Sequence, residues 1–313
     1  MNTPIFHLSK LAHTFSIIAR DAQTGQLGVA VQSHWFSVGR LVCWAEAGVG
    51  AVATQAMVNV NYGPLGLERM RRGLSAPEAL AELLAADEGR ELRQVAMVDA
   101  QGRAAAHTGT QCIAEAGHEI GAGFSAQANI MANDRVWPTM AQAFRQARGN
   151  LAERLLCALE AGQDAGGDLR GKQSAALLVV AGKPTPEPWT GVIVELRVED
   201  HPEPLAELRR LLHLHRAYEH MNQGNALLGE NRTEEALAQY RLAAQMAPNI
   251  PELPFWHAVA LADVGRLDEA LPIFRDVFAR DPNLALLLQR LPASGLLRAE
   301  AQVIDRILNE VKH

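Results

Sequence analysis

The chain has 313 residues, 48% of them hydrophobic and 20% charged, which is material for more than one buried core. Its formal net charge of −6, with acidic and basic residues interspersed, gives no electrostatic basis for nucleic acid as the main partner. Three widely spaced cysteines, Cys43, Cys112 and Cys157, form no CxxC pair, which argues against a disulfide framework or structural zinc and fits a reducing compartment.

Residues 1–13 carry one lysine and no continuous apolar stretch, unlike a secretory signal. No run approaches the roughly 18 apolar residues of a membrane helix. A soluble, cytoplasmic protein is the expectation. Residues 14–20 and 27–33 are apolar or β-branched runs around the turn-rich DAQTGQ, which predicts a β-hairpin largely buried on both faces. Residues 42–55 read as one further apolar strand, with Gly48 and Gly50 marking close backbone packing. Helical spacing follows over 62–72 and 76–86, with Ser75 as an N-cap before Ala76-Pro77-Glu78. A second hairpin is predicted over 93–99 and 102–108, then a helical stretch over 137–161 split near Gly149-Asn150. Residues 174–181 and 192–198 read as the last strands. Strands, helices, strands, helices and strands in that order predict a layered α+β domain.

His201-Pro202-Glu203-Pro204 marks the expected start of a second, all-helical part. There, ENRTEEALAQYRLAAQMAPN aligns with VGRLDEALPIFRDVFARDPN at an offset of 34 residues. Ala236, Tyr240 and Pro248 match Ala270, Phe274 and Pro282. Small, aromatic and proline residues at that period are the tetratricopeptide pattern, in which stacked helix pairs bury a continuous core. Two repeats fall short of the usual three, so helices at 205–214 and 296–311 are expected to cap the array. The expected division is an extension or propeptide at 1–13, the layered domain at 14–200 and the repeats at 201–313.

The runs HTFSIIARDAQTGQLGVAVQSHWFSVG, AEAGVGAVATQAMVNVNYGPLGL, RQVAMVDAQGRAAAHTG, AGHEIGAGFSAQANIM and AGGDLRGKQSAALLVV together resemble an uncharacterised bacterial family. It is a domain of unknown function grouped with the N-terminal-nucleophile (Ntn) hydrolases, and the resemblance spans residues 14–200. It implies a four-layer αββα sandwich of the Ntn-hydrolase kind, and amide hydrolysis as the activity. In that superfamily the first residue of the mature chain, a Thr, Ser or Cys, attacks an amide carbonyl. Its own α-amine, which titrates at about 7.7–8.0, serves as base. Thr14 matches that position, but it is internal as the sequence stands. Either the bond after His13 is cleaved, or translation starts later, or Thr14 is simply a β-branched residue opening a strand.

Around Thr14 the candidate catalytic residues are Ser33, Glu46 and Asn129. Ser33 and His34 end the strand that returns to Thr14, although neighbouring strand residues point to opposite faces. Glu46 lies in an apolar run and must be partnered or face solvent. Thr54, Gln55 and Asn59 precede a helix start whose N–H groups could form an oxyanion hole, unless Asn61 merely caps that helix. Asp168 and Arg170 form an ion pair or contact the substrate, and Ser174 is a further candidate. The 11 histidines show no ligand spacing and no phosphate-binding loop occurs, so no metal or cofactor is expected. One reading is a threonine-dependent amidohydrolase acting on a small amide or peptide-like compound, as a homo-oligomer, with repeats that recruit a protein or peptide partner. The other is a non-catalytic interaction or scaffold protein with an inactive Ntn-like domain.

Overall fold

A computed structural model of the chain describes residues 10–12, 14–298 and 301–310. By contacts the chain divides into two units, Met1–Leu211 and Leu212–His313.

The first unit is mixed α+β with two antiparallel sheets. One contains β1 (Lys10–Ala12), β4 (Cys43–Glu46), β5 (Gly50–Val58), β6 (Arg93–Asp99) and β7 (Ala104–Thr108). Its order is β1-β5-β6-β7, and β4 shares with β1 the outer edge of β5. The other sheet contains β2 (Thr14–Arg20), β3 (Leu27–Ser33), β8 (Gly117–Gly121), β9 (Phe124–Ala128), β10 (Ser174–Val180) and β11 (Val192–Val198), in the order β11-β10-β3-β2-β9-β8. The sheets face each other across a core that includes Ile18, Val29, Val31, Ala51, Ala53 and Val98. Helices α2 (Tyr62–Arg71) and α3 (Ala76–Ala86) pack on the first sheet, and α4 (Val136–Gln146) and α5 (Leu151–Asp164) on the second. A short helix, α1 (Gly39–Val42), follows β3.

Local chemistry explains most of these elements. The expected first hairpin is β2 and β3, buried throughout except for Arg20. Burying each aliphatic side chain there contributes about 1.5–3 kcal/mol. Gly28 lets α5 lie close on the sheet, since a Cβ there would stand 2.7 Å from Leu155 Cδ1. Ser75 and Asn150 each accept from a backbone N–H in the first turn of α3 and α5, and Glu78 and Glu153 return the bond to complete capping boxes.

Two expectations are corrected, and one hairpin lies outside them. The run over 42–55 is two strands, because Gly48 turns the chain with φ +69 between β4 and β5. The hairpin of β8 and β9 went unread, since HEIG and FSAQA lack a long β-branched run. Asn61 does not cap α2; it already has helical φ and ψ and makes no side-chain cap bond.

The second unit is helical. Helix α6 (Pro204–Gly229) is far longer than the expected 205–214 and carries the division between the units at Leu211. It is followed by α7 (Thr233–Met246), α8 (Glu252–Asp263), α9 (Leu267–Arg280), α10 (Asn283–Arg290) and α11 (Ala301–Glu310). Ala236, Tyr240, Ala270 and Phe274 all sit in one core, as do Ile304 and Ile307 of the tail helix. Among the described residues no helix is long and apolar enough to cross a membrane.

Candidate active site

Alternation along β2 sends Thr14, Ser16 and Ile18 to the face that meets the other sheet. Ile18 belongs to the apolar core between the sheets. Thr14 pairs directly with Ser33 on β3, and Ser33 with Ser174 on β10. On the other side Phe15 pairs with Ala128 of β9, which brings Asn129 beside Thr14. Ser174, Ser33, Thr14 and Asn129 therefore form one transverse row at one end of the sheet.

The facing sheet presents a matching row, Gln55, Gln94 and Thr108, aligned across β5, β6 and β7. The two rows and their neighbours join in a buried hydrogen-bond network. Gln94 Nε2 donates to the carbonyls of Ala128 (2.8 Å) and Gly117 (3.1 Å) and to Thr108 Oγ1 (2.9 Å). A carbonyl only accepts, so this orientation of the Gln94 amide is fixed by chemistry. Its Oε1 then accepts from Gln55 Nε2 (2.6 Å) and Asn129 Nδ2 (2.9 Å). Gln55 Oε1 accepts from Ser16 Oγ (2.6 Å), which accepts from Gln127 Nε2 (2.6 Å), and Gln127 Oε1 accepts from Ser125 Oγ (3.0 Å). Ser16, Gln55, Gln94, Ser125, Gln127 and Asn129 are all fully buried.

Thr14 is held within this network. Its carbonyl accepts from Asn129 N (3.1 Å), Gln55 Nε2 (3.2 Å) and Asn129 Nδ2 (3.4 Å). Its hydroxyl, also buried, donates to the carbonyl of Gln32 (3.1 Å). Backbone strain gathers at the same end. Gln55 is followed by Ala56 at φ +67, and Asn129 by Ile130 at φ +58; Ser37, in the loop after β3, has φ +58. Positive φ costs a non-glycine residue about 1–3 kcal/mol, most of all a β-branched one, and tends to persist where function needs it. β1 runs into this region from the facing sheet, pairing Ala12 with Ala56.

Of the residues singled out from the sequence, the structure brings Thr14, Ser33, Gln55 and Asn129 together. Glu46 is not among them: it lies opposite Gly50, five residues along β5 from Gln55, in a bidentate ion pair with Arg71. Thr54 points to the helical face of its sheet and donates to Asn59 O (3.1 Å). At the helix start after Asn59, two of the N–H groups considered as oxyanion donors, those of Asn61 and Tyr62, are already bonded to Asn59 (3.1 and 3.2 Å). Asp168 accepts from Arg170 Nε (3.0 Å) and Nη2 (2.7 Å) and from His34 N (3.3 Å), which ties two loops beside the row. Ser174 bridges the backbone of Trp35 and Val38.

Sequence reasoning missed Ser16, Gln94, Thr108, Ser125 and Gln127. A signal was present for Gln94, an amide at an inward position of a strand whose other inward residues, Ala96 and Val98, are apolar. Two of the thiols are poor alternative nucleophiles: burial pushes Cys112 up to about 11 and Cys43 still higher. No group of three His, Cys, Asp or Glu side chains able to hold a metal occurs among the described residues.

Residues 14–208 match the model of a family described as a family of unknown function, DUF1028. The solved structure of a protein of that family from Silicibacter pomeroyi is 32% identical, with a TM-score of 0.58. The match covers 64% of this chain and 88% of that one. Among curated proteins none matches. With well over half of its length matched by the family model, the chain belongs to this family of unknown function.

Proposed function

We propose that the first unit is an amide hydrolase of the Ntn type and its layers an Ntn-hydrolase-like sandwich, with Thr14 as nucleophile once the bond after His13 is cut. The observation that supports this most is the triple grip on the Thr14 carbonyl, made by buried amides at the strained end of the sandwich. That grip would fix the residue whose hydroxyl and new α-amine must work as a pair. After scission, Oγ1 attacks the carbonyl carbon of a small amide or peptide-like substrate and its proton passes to the α-amine. The amine then protonates the departing nitrogen. Water, deprotonated by the same amine, releases the acid from the Thr14 ester. Ser33 and Asn129 are positioning residues in this scheme.

The test is the intact mass of the purified chain together with turnover of a panel of simple amides. Loss of residues 1–13, and turnover that disappears in Thr14→Ala, is the expected result. An uncut chain without turnover, or full turnover in Thr14→Ala, overturns the proposal. The uncut outcome would favour a non-catalytic scaffold, a reading supported by the complete burial of the Thr14 hydroxyl on a backbone carbonyl. For the second unit we propose a tetratricopeptide-like array used for partner binding or self-association. It is supported by the shared burial of Ala236 with Ala270 and Tyr240 with Phe274, at the 34-residue offset.

A further inference from the structure

The network has a second end, away from Thr14. Thr108 Oγ1 lies 2.9 Å from His118 Nδ1. Thr108 accepts from the Gln94 amide and can give its own proton to Nδ1, the tautomer in which Nε2 carries the hydrogen. Burial, and then the nearby His107, hold His118 below the usual histidine range, so the ring is neutral at pH 7. It lies at the open edge between β7 and β8, in a cleft of about 650 Å³ whose wall includes Thr110, Cys112, Glu115 and the ring of Trp137. Neither His118 Nε2 nor Trp137 Nε1 has a hydrogen-bond partner among the described residues. The loop over 109–116 is already set. Gly109 packs against the Glu91 backbone with no room for a Cβ, Thr110 is bonded to the Glu91 carboxylate (2.9 Å), and Ile113 and Glu115 accept from Ile130 and Met131. Preformed clefts with an apolar wall and a few convergent polar groups are the usual form of small-molecule sites.

We infer that this cleft binds an uncharged planar carboxamide, its oxygen accepting from His118 Nε2–H and its apolar body lying against Trp137. An acceptor suits Trp137 Nε1–H, which can only donate, and His118 Nε2–H in the tautomer that takes the Thr108 proton on Nδ1. An anion is disfavoured because Glu115 lines the cleft and no Lys or Arg is among its described lining residues. The site does not depend on Thr14 being a nucleophile.

The experiment is a titration of the full chain with benzamide, benzoate and benzylamine, read by the imidazole ¹⁵N signals of His118. Benzamide is expected to bind saturably and shift Nε2, with benzoate and benzylamine weaker. His118→Phe, read by calorimetry, is expected to weaken benzamide about tenfold, the equivalent of one hydrogen bond. Trp137→Leu serves as a second variant at a half-exposed position. Binding that persists in Thr14→Ala keeps this site separate from the proposed hydrolase chemistry. The inference is overturned if benzamide leaves His118 unshifted, if benzoate or benzylamine binds more tightly, if both cleft variants bind as the wild type does, or if Thr14→Ala abolishes binding.

Discussion

The space between the two sheets has two ends built on the same strands. At one end β2, β5 and β6 contribute Ile18, Ala51, Ala53, Ala96 and Val98, an ordinary apolar core. At the other end the same strands, on the same face, contribute Thr14, Ser16, Gln55 and Gln94, all fully buried. Two or three residues of β-strand separate the regimes. Apolar side chains would fill the polar end at lower cost, because each buried amide must recover in hydrogen bonds the several kcal/mol lost on leaving water. What the contrast teaches is that the polar end serves something other than stability. The strained residues Ala56 and Ile130 point the same way, since each follows a member of the network.

The contrast can be broken at its most connected point. Gln94→Leu keeps the volume but strips partners from Gln55, Asn129, Thr108 and two carbonyls. At about 1–3 kcal/mol for each buried group left unpaired, a loss of at least about 3 kcal/mol in chemical denaturation is the expected result. A loss under about 1 kcal/mol would mean that the network is slack. The converse change puts a polar group into the apolar end. Val29→Thr, close to isosteric, buries a hydroxyl between its cross-strand neighbours Ile18 and Leu178 and is expected to cost about 1–3 kcal/mol. Equal tolerance of Val29→Thr and Gln94→Leu would erase the distinction between the ends. The smallest effect belongs to the strain: Ala56→Gly removes the Cβ penalty at positive φ and is expected to raise stability by up to about 1 kcal/mol. A measured destabilisation would show that the Ala56 methyl does more in packing than its φ costs.

Much of this fold could be read in the sequence. The hairpin of β2 and β3, the strand β6, the N-cap at Ser75 and the break near Gly149-Asn150 are dictated by local pattern, and the structure reproduces them closely. The split between β4 and β5 was not legible, because Gly48 was read as a packing device when its φ makes it a turn. The site was legible only in part. Thr14, Ser33 and Asn129 came from resemblance and Gln55 from its place at a strand end, and pairing register then made them neighbours. Glu46 was singled out because a carboxylate in an apolar run looked exceptional. Its explanation is Arg71, 25 residues away on a helix, a contact that no strand pattern encodes. His118 was invisible for a related reason: it matters through Thr108 and Gln94, which meet it only after both sheets have formed.

The order of the second sheet has a consequence for how the chain is made. The strand pair β2 and β3, buried along nearly its whole length, is complete at residue 33, yet its flanking partners β9 and β10 begin at residues 124 and 174. At ribosomal rates of about 5–20 residues per second the hairpin waits on the order of ten seconds for its second neighbour. Throughout that interval both of its edges carry unpaired N–H and C=O groups beside apolar side chains, the condition under which strands pair with the wrong chain. Vectorial synthesis thus delivers the centre of this sheet first and its protection last, which makes the nascent N-terminal hairpin the segment most in need of chaperone cover.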